Sequence, residues 1–208
     1  MWARDNTRES IFDAMMRKEV YATTGSRILV RVFAGYDFEA EDVVRPDFAE
    51  KGYASGVPMG GNLASSDGSA PKLMIRALRD PDNANLDRVQ VIKGYLGSDG
   101  KAKEIIYDVA CADGRAIVDR RCESEIGSTV DVENATYTND IGDAVLAAYW
   151  EDPDFDASVP AWYYVRVMEI PKPRWSAYDQ VRFGIKMAEG IPMTVQDRAY
   201  TSPIWYTP

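Results

Sequence analysis

The sequence of 208 residues contains no histidine. Histidine is the usual general base and a common metal ligand near neutral pH. Its absence excludes a Ser-His-Asp triad, a Cys-His pair and a histidine-ligated metal site built from this chain alone. Only two cysteines are present, and two thiols without histidine make a zinc site implausible. The sequence therefore offers no self-sufficient hydrolytic or metal centre.

Basic residues are also scarce, since 24 Lys and Arg face 33 Asp and Glu for a net charge of −9. That balance repels phosphate backbones and anionic lipid. The densest basic spots, Arg120-Arg121 and Lys101-Ala102-Lys103, have acids nearby. We therefore predict neither a nucleic-acid partner nor a membrane partner. No run approaches about 18 apolar residues, and the charged segment 1–6 lacks the apolar core of a signal peptide.

One helix is predicted, over residues 6–19, because Asn6 and Glu9 form a capping-box pattern. An apolar stripe of helical period follows: Ile11, Phe12, Met15 and Met16. The stripe is predicted to face the core. The alternative is a methionine-rich groove for a partner.

The rest of the chain favours β-structure. Runs of β-branched and aromatic residues, separated by Gly, Pro, Asp and Asn, predict strands at 27–34, 72–79, 86–96, 104–110, 144–150 and 161–170. Strands without helices between them indicate a mainly β, antiparallel β-sandwich-like domain, preceded by one α-helix. Residues 50–71 and 171–200 are predicted to be long loops, and loops of that length are usually functional.

Cys111 and Cys122 flank an Ala-Asp-Gly-Arg segment with turn chemistry. They are predicted to form a disulfide that closes an irregular loop, which would imply an oxidising compartment. The alternative is a pair of unrelated thiols.

An acidic segment and an aromatic segment are candidate ligand sites. In the acidic segment 151–156, an EF-hand loop starting at Asp152 would place Ala157 at its sixth position and Tyr163 at its twelfth. Calcium binding is therefore disfavoured, since those positions require glycine and glutamate. Alternation places Trp162 and Tyr164 on one strand face, which suits either packing or a sugar or aromatic ligand.

The Pro-Lys-Pro-Arg-Trp segment carries Arg174 and Trp175 on a stiff loop. This pair is a candidate contact for an anion or a partner. The alternative is an arginine that stacks on its neighbour at the surface.

Several segments taken together resemble one family. They are the helix Thr7–Ala14 (Thr-Arg-Glu-Ser-Ile-Phe-Asp-Ala), the Tyr-Ala-Thr-Thr-Gly at 21–25, the Gly-Val-Pro-Met-Gly-Gly at 56–61, the Tyr-Tyr-Val-Arg-Val-Met-Glu-Ile-Pro at 163–171 and the terminal 198–208. The set resembles the DUF3604 family. The members of that family are PHP-like metallohydrolases related to the carbaryl-hydrolase (CehA/McbA-like) group. Members of that family are longer, and histidines and aspartates in an upstream barrel bind their metal.

The resemblance implies that this chain corresponds to the C-terminal third of such a protein. Residues 1–26 would then be the last helix and loop of the barrel, and residues 27–208 a β-sandwich-like domain. No metal ligand of the family can be placed on this chain, so a divalent metal is expected only in a full-length member. Tyr21, Thr23 and Thr24 would lie near the pocket. Relatives are often exported, which implies a periplasmic or extracellular location for the parent protein.

Together these observations predict a non-catalytic C-terminal module, inactive by itself, whose partner is the upstream barrel. The candidate rim or ligand residues are Tyr21, Thr23, Thr24, Arg174 and Trp175. The alternative function is an autonomous β-sandwich that binds a sugar or aromatic ligand through its aromatic surface. A homodimer formed through the helix over 6–19 is a third possibility.

Overall fold

The computed structural model describes all residues, 1–208. The helices are α1 (Arg8–Met16), α2 (Phe48–Ser55) and α3 (Trp175–Phe183), with two 3₁₀ turns at Ala40–Val44 and Ala112–Gly114. The strands are β1 (Tyr21–Thr23), β2 (Leu29–Gly35), β3 (Gly56–Pro58), β4 (Asn62–Ala64), β5 (Lys72–Leu78), β6 (Leu86–Leu96), β7 (Ala102–Cys111), β8 (Ile117–Val118), β9 (Arg121–Cys122), β10 (Val145–Glu151), β11 (Ala161–Glu169), β12 (Lys172–Pro173), β13 (Thr194–Val195), β14 (Arg198–Thr201) and β15 (Ile204–Thr207).

Two sheets pack face to face, which confirms the mainly β, antiparallel sandwich. The larger sheet has seven strands and is centred on β11, which pairs with β6 along one edge and with β14 and β15 along the other. The smaller sheet has the order β10-β5-β2-β3. Their facing side chains form one core, in which Val32 and Ile75 of the smaller sheet meet Val165 and Val167 of the larger. The only parallel pair joins β15 to β4.

The predicted strands are present at all six positions, with ends that agree or differ by at most two residues. The cause is the alternation of core-facing and outward side chains, which β11 shows most clearly: Ala161, Tyr163, Val165 and Val167 are buried and the residues between them through Arg166 are half-buried. No helix in the structure is long and apolar enough to cross a lipid bilayer.

The two predicted loops were wrong. Residues 50–71 contain most of α2 together with β3 and β4, and residues 171–200 contain β12, α3, β13 and part of β14. α2 packs on the outer side of the smaller sheet. There Phe48 joins Phe33, Phe38 and Met74 in a second apolar cluster. This tertiary contact stabilises α2, and helix propensity alone does not predict it.

The predicted helix exists as α1, but it is shorter than 6–19 and it begins after Thr7, whose side chain accepts from the backbone N–H of Ser10. The prediction that its stripe is core was wrong, because only Ala14 is buried. Phe12 is 55% exposed and Met16 is 65% exposed.

Polar contacts hold α1 in place. The buried carboxylate of Glu19 accepts from the Arg17 Nε at 2.8 Å and from the Tyr53 hydroxyl. The Trp2 indole donates to the carbonyl of Val30 at 2.9 Å, which ties the N-terminal segment to β2. The helix is therefore attached through its ends, and its apolar side faces outward.

Candidate functional site

The candidate site is a cleft of about 690 Å³ at one end of the larger sheet, named here the Lys172 cleft. β12, the first turn of α3, and β13 and β14 form its walls, together with the turn after β1. Its lining residues are Thr24, Lys172, Pro173, Arg174, Trp175, Pro192, Thr194, Val195, Gln196, Asp197 and Arg198. β12 pairs with β13 through Lys172 and Val195, and this pairing brings the segment before α3 against the segment before β14.

Lys172 is the centre of a buried ion cluster. Its Nζ lies 3.0 Å from Oε2 of Glu169 and 2.8 Å from Oδ2 of Asp197, and it donates to Oδ1 of Asn83 at 2.9 Å. Thr24 donates its hydroxyl hydrogen to Asp197 at 2.6 Å. Glu169 is fully buried, while Lys172 and Asp197 are nearly so. Three distant parts of the chain therefore meet at one ammonium group.

Burial and ion pairing act in opposite directions on these groups. Burial raises the pKa of Glu169 above its ordinary value, and Ser26 and Lys172 offset only part of that effect. Burial would also raise the pKa of Asp197, but Lys172 and Thr24 outweigh it and the pKa of Asp197 is lowered. Burial would lower the pKa of Lys172, yet hydrogen bonds to Asp197 and Glu169 leave its pKa raised. Lys172 is thus held in its charged form.

Arg174 and Trp175 form the mouth of the cleft. The Arg174 guanidinium lies 4.7 Å from the centre of the Trp175 ring, which is cation–π distance. Trp175 is 56% exposed. Arg174 caps the N-terminus of α3 with its backbone, and no carboxylate lies within ion-pair distance of its side chain. The mouth therefore offers an unpaired cation beside an open aromatic face.

The structure brings together three of the five residues predicted as pocket rim. Thr24, Arg174 and Trp175 all line the Lys172 cleft. Tyr21 and Thr23 are the two ends of β1, where they pair with Thr201 and Ala199 of β14, and Thr24 follows the strand. Tyr21 packs against the main core and the Trp2 ring instead of lining the cleft.

Sequence reasoning missed the ion cluster behind this mouth. One signal was available, because Glu169 ends the apolar run of β11 at a position where a charge is buried only if it is paired. The identity of the partners was not readable, since Asn83, Lys172 and Asp197 lie on separate segments. The missed residues are Asn83, Glu169, Lys172 and Asp197.

The divalent metal that the family resemblance implies does not fit the residues of this chain. Glu169 and Asp197 are the two carboxylates that approach each other in the cleft, and the Lys172 ammonium occupies the point between them. A metal cation there would be repelled by that ammonium at close range. Asp87, another buried carboxylate, lies 2.6 Å from the Arg115 guanidinium and is engaged in the same way.

The acidic segment 151–156 does not converge on a cation site. Asp152 pairs with the buried Lys93 at 2.6 Å and accepts from the Tyr163 hydroxyl at 2.7 Å. Asp154 accepts from the Tyr107 hydroxyl at 2.6 Å. Asp156 accepts from Ser158 within its own turn. Each of these carboxylates is bound by a different part of the protein.

Cys111 and Cys122 are joined by a disulfide, with their Cα atoms 5.9 Å apart. Cys111 is the last residue of β7, and Cys122 lies in β9. The backbone N–H of Cys122 donates to the Asp108 carboxylate at 2.9 Å. Asp108 and the two sulfur atoms lie close together. Both sulfurs are used in the disulfide, so this group offers no thiolate to a metal.

A family model described as "Protein of unknown function (DUF3604)" matches residues 1–208. No curated protein and no solved structure shows significant similarity to the chain. The matched range includes both α1 with its exposed apolar side and the Lys172 cleft.

Proposed function

Because the chain belongs to the DUF3604 family over residues 1–208, we propose that it is a non-catalytic module that docks onto a PHP-like metal-dependent hydrolase barrel. The module covers the barrel with α1 and contributes the Lys172 cleft to the rim of the active site. The sequence motifs of α1 and β1, which resemble the end of such a barrel, support this proposal.

The observation that carries the proposal is the apolar side of α1, defined by Phe12, Met15 and Met16. These side chains are 55%, 48% and 65% exposed, and they lie side by side on the helix. A nine-residue helix is marginal in water without packing along its apolar side. Contiguous exposed apolar groups of this kind mark interaction surfaces. A complementary protein surface is therefore the expected cover.

The fold connects this docking surface to the Lys172 cleft. After α1 the chain enters β1, and Thr24 follows β1 directly at the edge of the cleft. A barrel seated on α1 would therefore lie beside the mouth formed by Arg174 and Trp175. An unpaired guanidinium next to an aromatic ring is suited to a substrate that carries a negative charge near a flat apolar group.

The chemistry of the chain favours a supporting role over catalysis. The sequence has no histidine, and the carboxylates of the Lys172 cleft are already bound to an ammonium group. Neither carboxylate of the cleft is free to serve as an acid or a base. The hydrolytic groups would come from the barrel.

The proposal is tested by mixing the purified chain with a PHP-like barrel of the DUF3604 family that is produced as a separate chain. We expect a one-to-one complex by sedimentation velocity. Phe12→Ser and Met16→Ser should each weaken the complex at least about tenfold, because burial of such a side chain contributes about 1.5–3 kcal/mol. Leu96→Ser is the matched control, since Leu96 is 58% exposed at the β6–β7 turn, away from α1, and it should leave binding unchanged.

Two results would overturn the proposal. Stoichiometric zinc or manganese in the purified chain, together with ester or phosphoester hydrolysis, would show a catalytic centre of its own. Self-association of the chain that Phe12→Ser abolishes, with no binding to the barrel, would show that α1 is a homodimer surface. Complex formation with metal-dependent hydrolysis confined to the barrel would support the proposal.

A further inference from the structure

The outer face of the larger sheet carries a continuous row of aromatic and basic side chains, which shares only Arg198 with the Lys172 cleft. Registers place Trp162 beside Trp205 and Gly94, and Arg166 beside Tyr200 and Gln90. Directly paired residues of neighbouring strands share one face. We name this row the outer ribbon, and its members are Trp162, Tyr164, Arg166, Arg198, Tyr200 and Trp205.

The outer ribbon is aromatic at one end. The rings of Trp162 and Tyr164 are nearly parallel, 18° apart with centroids 5.8 Å apart, and Trp205 lies 6.4 Å from Trp162. Ile92, which is paired with Tyr164 on the neighbouring strand, is fully buried although it lies outside the main core. Trp162 is seated over Gly94, where no side chain competes for the space. Trp162 and Tyr164 are half-buried and Trp205 is 42% exposed, so all three rings reach the surface.

The other end of the outer ribbon is basic. Arg166 donates through Nε to Gln90 at 2.7 Å, and Gln90 donates to Asp108 at 2.6 Å, so the Arg166 side chain is held in place by an uncharged group. Arg198 has no carboxylate within ion-pair distance, and its buried Nε has no hydrogen-bond partner. The hydrogen bond and charge of Arg198, with the charge of Arg166, lower the pKa of Tyr200. Unpaired arginines stand out in a chain of net charge −9.

We infer that the outer ribbon binds an acidic oligosaccharide, with sugar rings against Trp162 and Tyr164 and a carboxylate or sulfate group on Arg166 and Arg198. Aromatic faces pack against the apolar faces of sugar rings. Guanidinium groups bind planar and tetrahedral anions through paired N–H groups. From Trp162 to Arg166 the strand extends about 13 Å, which exceeds one sugar ring and so favours a chain of sugars.

The charge around the outer ribbon sets the direction of the ligand and disfavours a nucleic acid. Glu104 of β7 is paired with Gly94, which is itself paired with Trp162, so a carboxylate stands on this face at the aromatic end. An anionic group is therefore repelled from the aromatic end and attracted to the arginine end. A nucleic acid carries a phosphate at every nucleotide, and it would bring negative charge onto the aromatic end as well. A sugar chain with an acidic group at one end satisfies both halves of the ribbon.

The test is titration calorimetry of the purified chain with four probes of similar length: a trisaccharide with a sialic acid at one end, a trisaccharide sulfated at one end, neutral maltotriose and trithymidylate. We expect at least one acidic sugar to bind about tenfold or more tightly than the neutral one. Trp162→Ala should abolish binding of all sugars. Arg166→Gln and Arg198→Gln should remove the preference for acidic sugars and leave weak neutral binding in place. The sialylated and sulfated trisaccharides distinguish a carboxylate from a sulfate.

Matched controls keep the result interpretable. Phe183→Ala removes an exposed aromatic ring of α3 outside the ribbon, Arg182→Gln removes an exposed arginine of the same helix, and neither should change the affinity. Tyr164→Ala replaces Trp162→Ala if the latter fails to fold by circular dichroism. Absence of binding to both acidic sugars, equal affinity for the neutral one, or tighter binding of trithymidylate would each overturn the inference. Because the ribbon variants leave α1 intact, complex formation with the barrel is an independent result.

Discussion

The indole of Trp162 occupies the space in which any residue other than glycine at position 94 would place its Cβ. An ideal Cβ on Gly94 would lie 2.0 Å from Cζ2 and 2.1 Å from Cε2 of Trp162. Trp162 and Gly94 are directly paired on β11 and β6, so the contact lies at the centre of the larger sheet. The indole of Trp162 on β11 fills the space that a side chain at position 94 of β6 would occupy.

Gly94→Ala is therefore expected to displace Trp162 and to lower the free energy of unfolding by about 1–3 kcal/mol, the usual penalty for overpacking. Urea denaturation measures the loss, and near-ultraviolet circular dichroism reports the displaced indole. Gly97→Ala is the control, because its Cβ would meet only the mobile ends of Lys103 and Asp99. Equal stability of Gly94→Ala and wild type would contradict the packing argument.

Lys172→Met should be the most damaging single change in the Lys172 cleft. It leaves Glu169 and Asp197 buried without their cation, and breaking a buried ion cluster in this way lowers the free energy of unfolding by about 3–5 kcal/mol. Urea denaturation measures that loss. Lys186→Met, on an exposed lysine, should change stability by less than about 0.5 kcal/mol.

The loss of stability caused by Lys172→Met should depend on pH. Burial already raises the pKa of Glu169, and loss of Lys172 raises it further. A carboxyl group with a raised folded-state pKa contributes stability below its unfolded pKa, and that contribution is lost as pH rises through the folded pKa. The loss in Lys172→Met should therefore be smaller near about pH 4 than near about pH 7. A loss that does not change with pH would mean that packing of the lysine stem is what matters.

The strands were predictable and two of the helices were not, for physical reasons that individual residues show. β11 keeps a two-residue alternation through Ala161, Tyr163 and Val165, and that local pattern needs no knowledge of partners. α2 contains Gly52, which argues against a helix on propensity. Its packing explains the glycine, since a Cβ there would lie 2.4 Å from the Phe33 ring. The contact with Phe33, which is distant in sequence, requires glycine at position 52. The local sequence does not show that contact.

The candidate site was predictable only at its mouth. Arg174 and Trp175 are neighbours in sequence, so their pairing could be foreseen from a stiff segment. The ion cluster behind them depends on Asn83, in the β5–β6 loop, and Asp197, in the β13–β14 turn, meeting Lys172 from distant parts of the chain. The apolar side of α1 was recognisable from its period. The local sequence does not show which surface packs against this apolar side. In the structure, Glu19 and its partners hold the helix with that side outward.

Asp152→Ala should destabilise the protein more than Tyr163→Phe. Asp152→Ala leaves the buried Lys93 without its carboxylate, for a loss of about 3–5 kcal/mol. Tyr163→Phe removes one hydrogen bond to a group that keeps its ion pair, for a loss of about 1.5–3 kcal/mol. Asp156→Ala, in an exposed turn of the same segment, is the control and should have the smallest effect. Urea denaturation ranks the three, and a reversed order, or a midpoint raised by calcium, would contradict separate roles for these carboxylates.

Removal of the disulfide should lower stability mainly through the unfolded chain. Cys111 and Cys122 are separated by 11 residues, and a cross-link over a loop of that size stabilises a domain by about 2–4 kcal/mol because it restricts the unfolded ensemble. The double variant Cys111→Ala/Cys122→Ala should lose that amount in urea denaturation. Reductant should lower the midpoint of the wild type toward that of the double variant and leave the double variant unchanged. Since Asp108 still accepts from the backbone of residue 122 in the variant, β9 should stay in place. A wild-type midpoint that reductant does not move would show that the cross-link contributes nothing to stability.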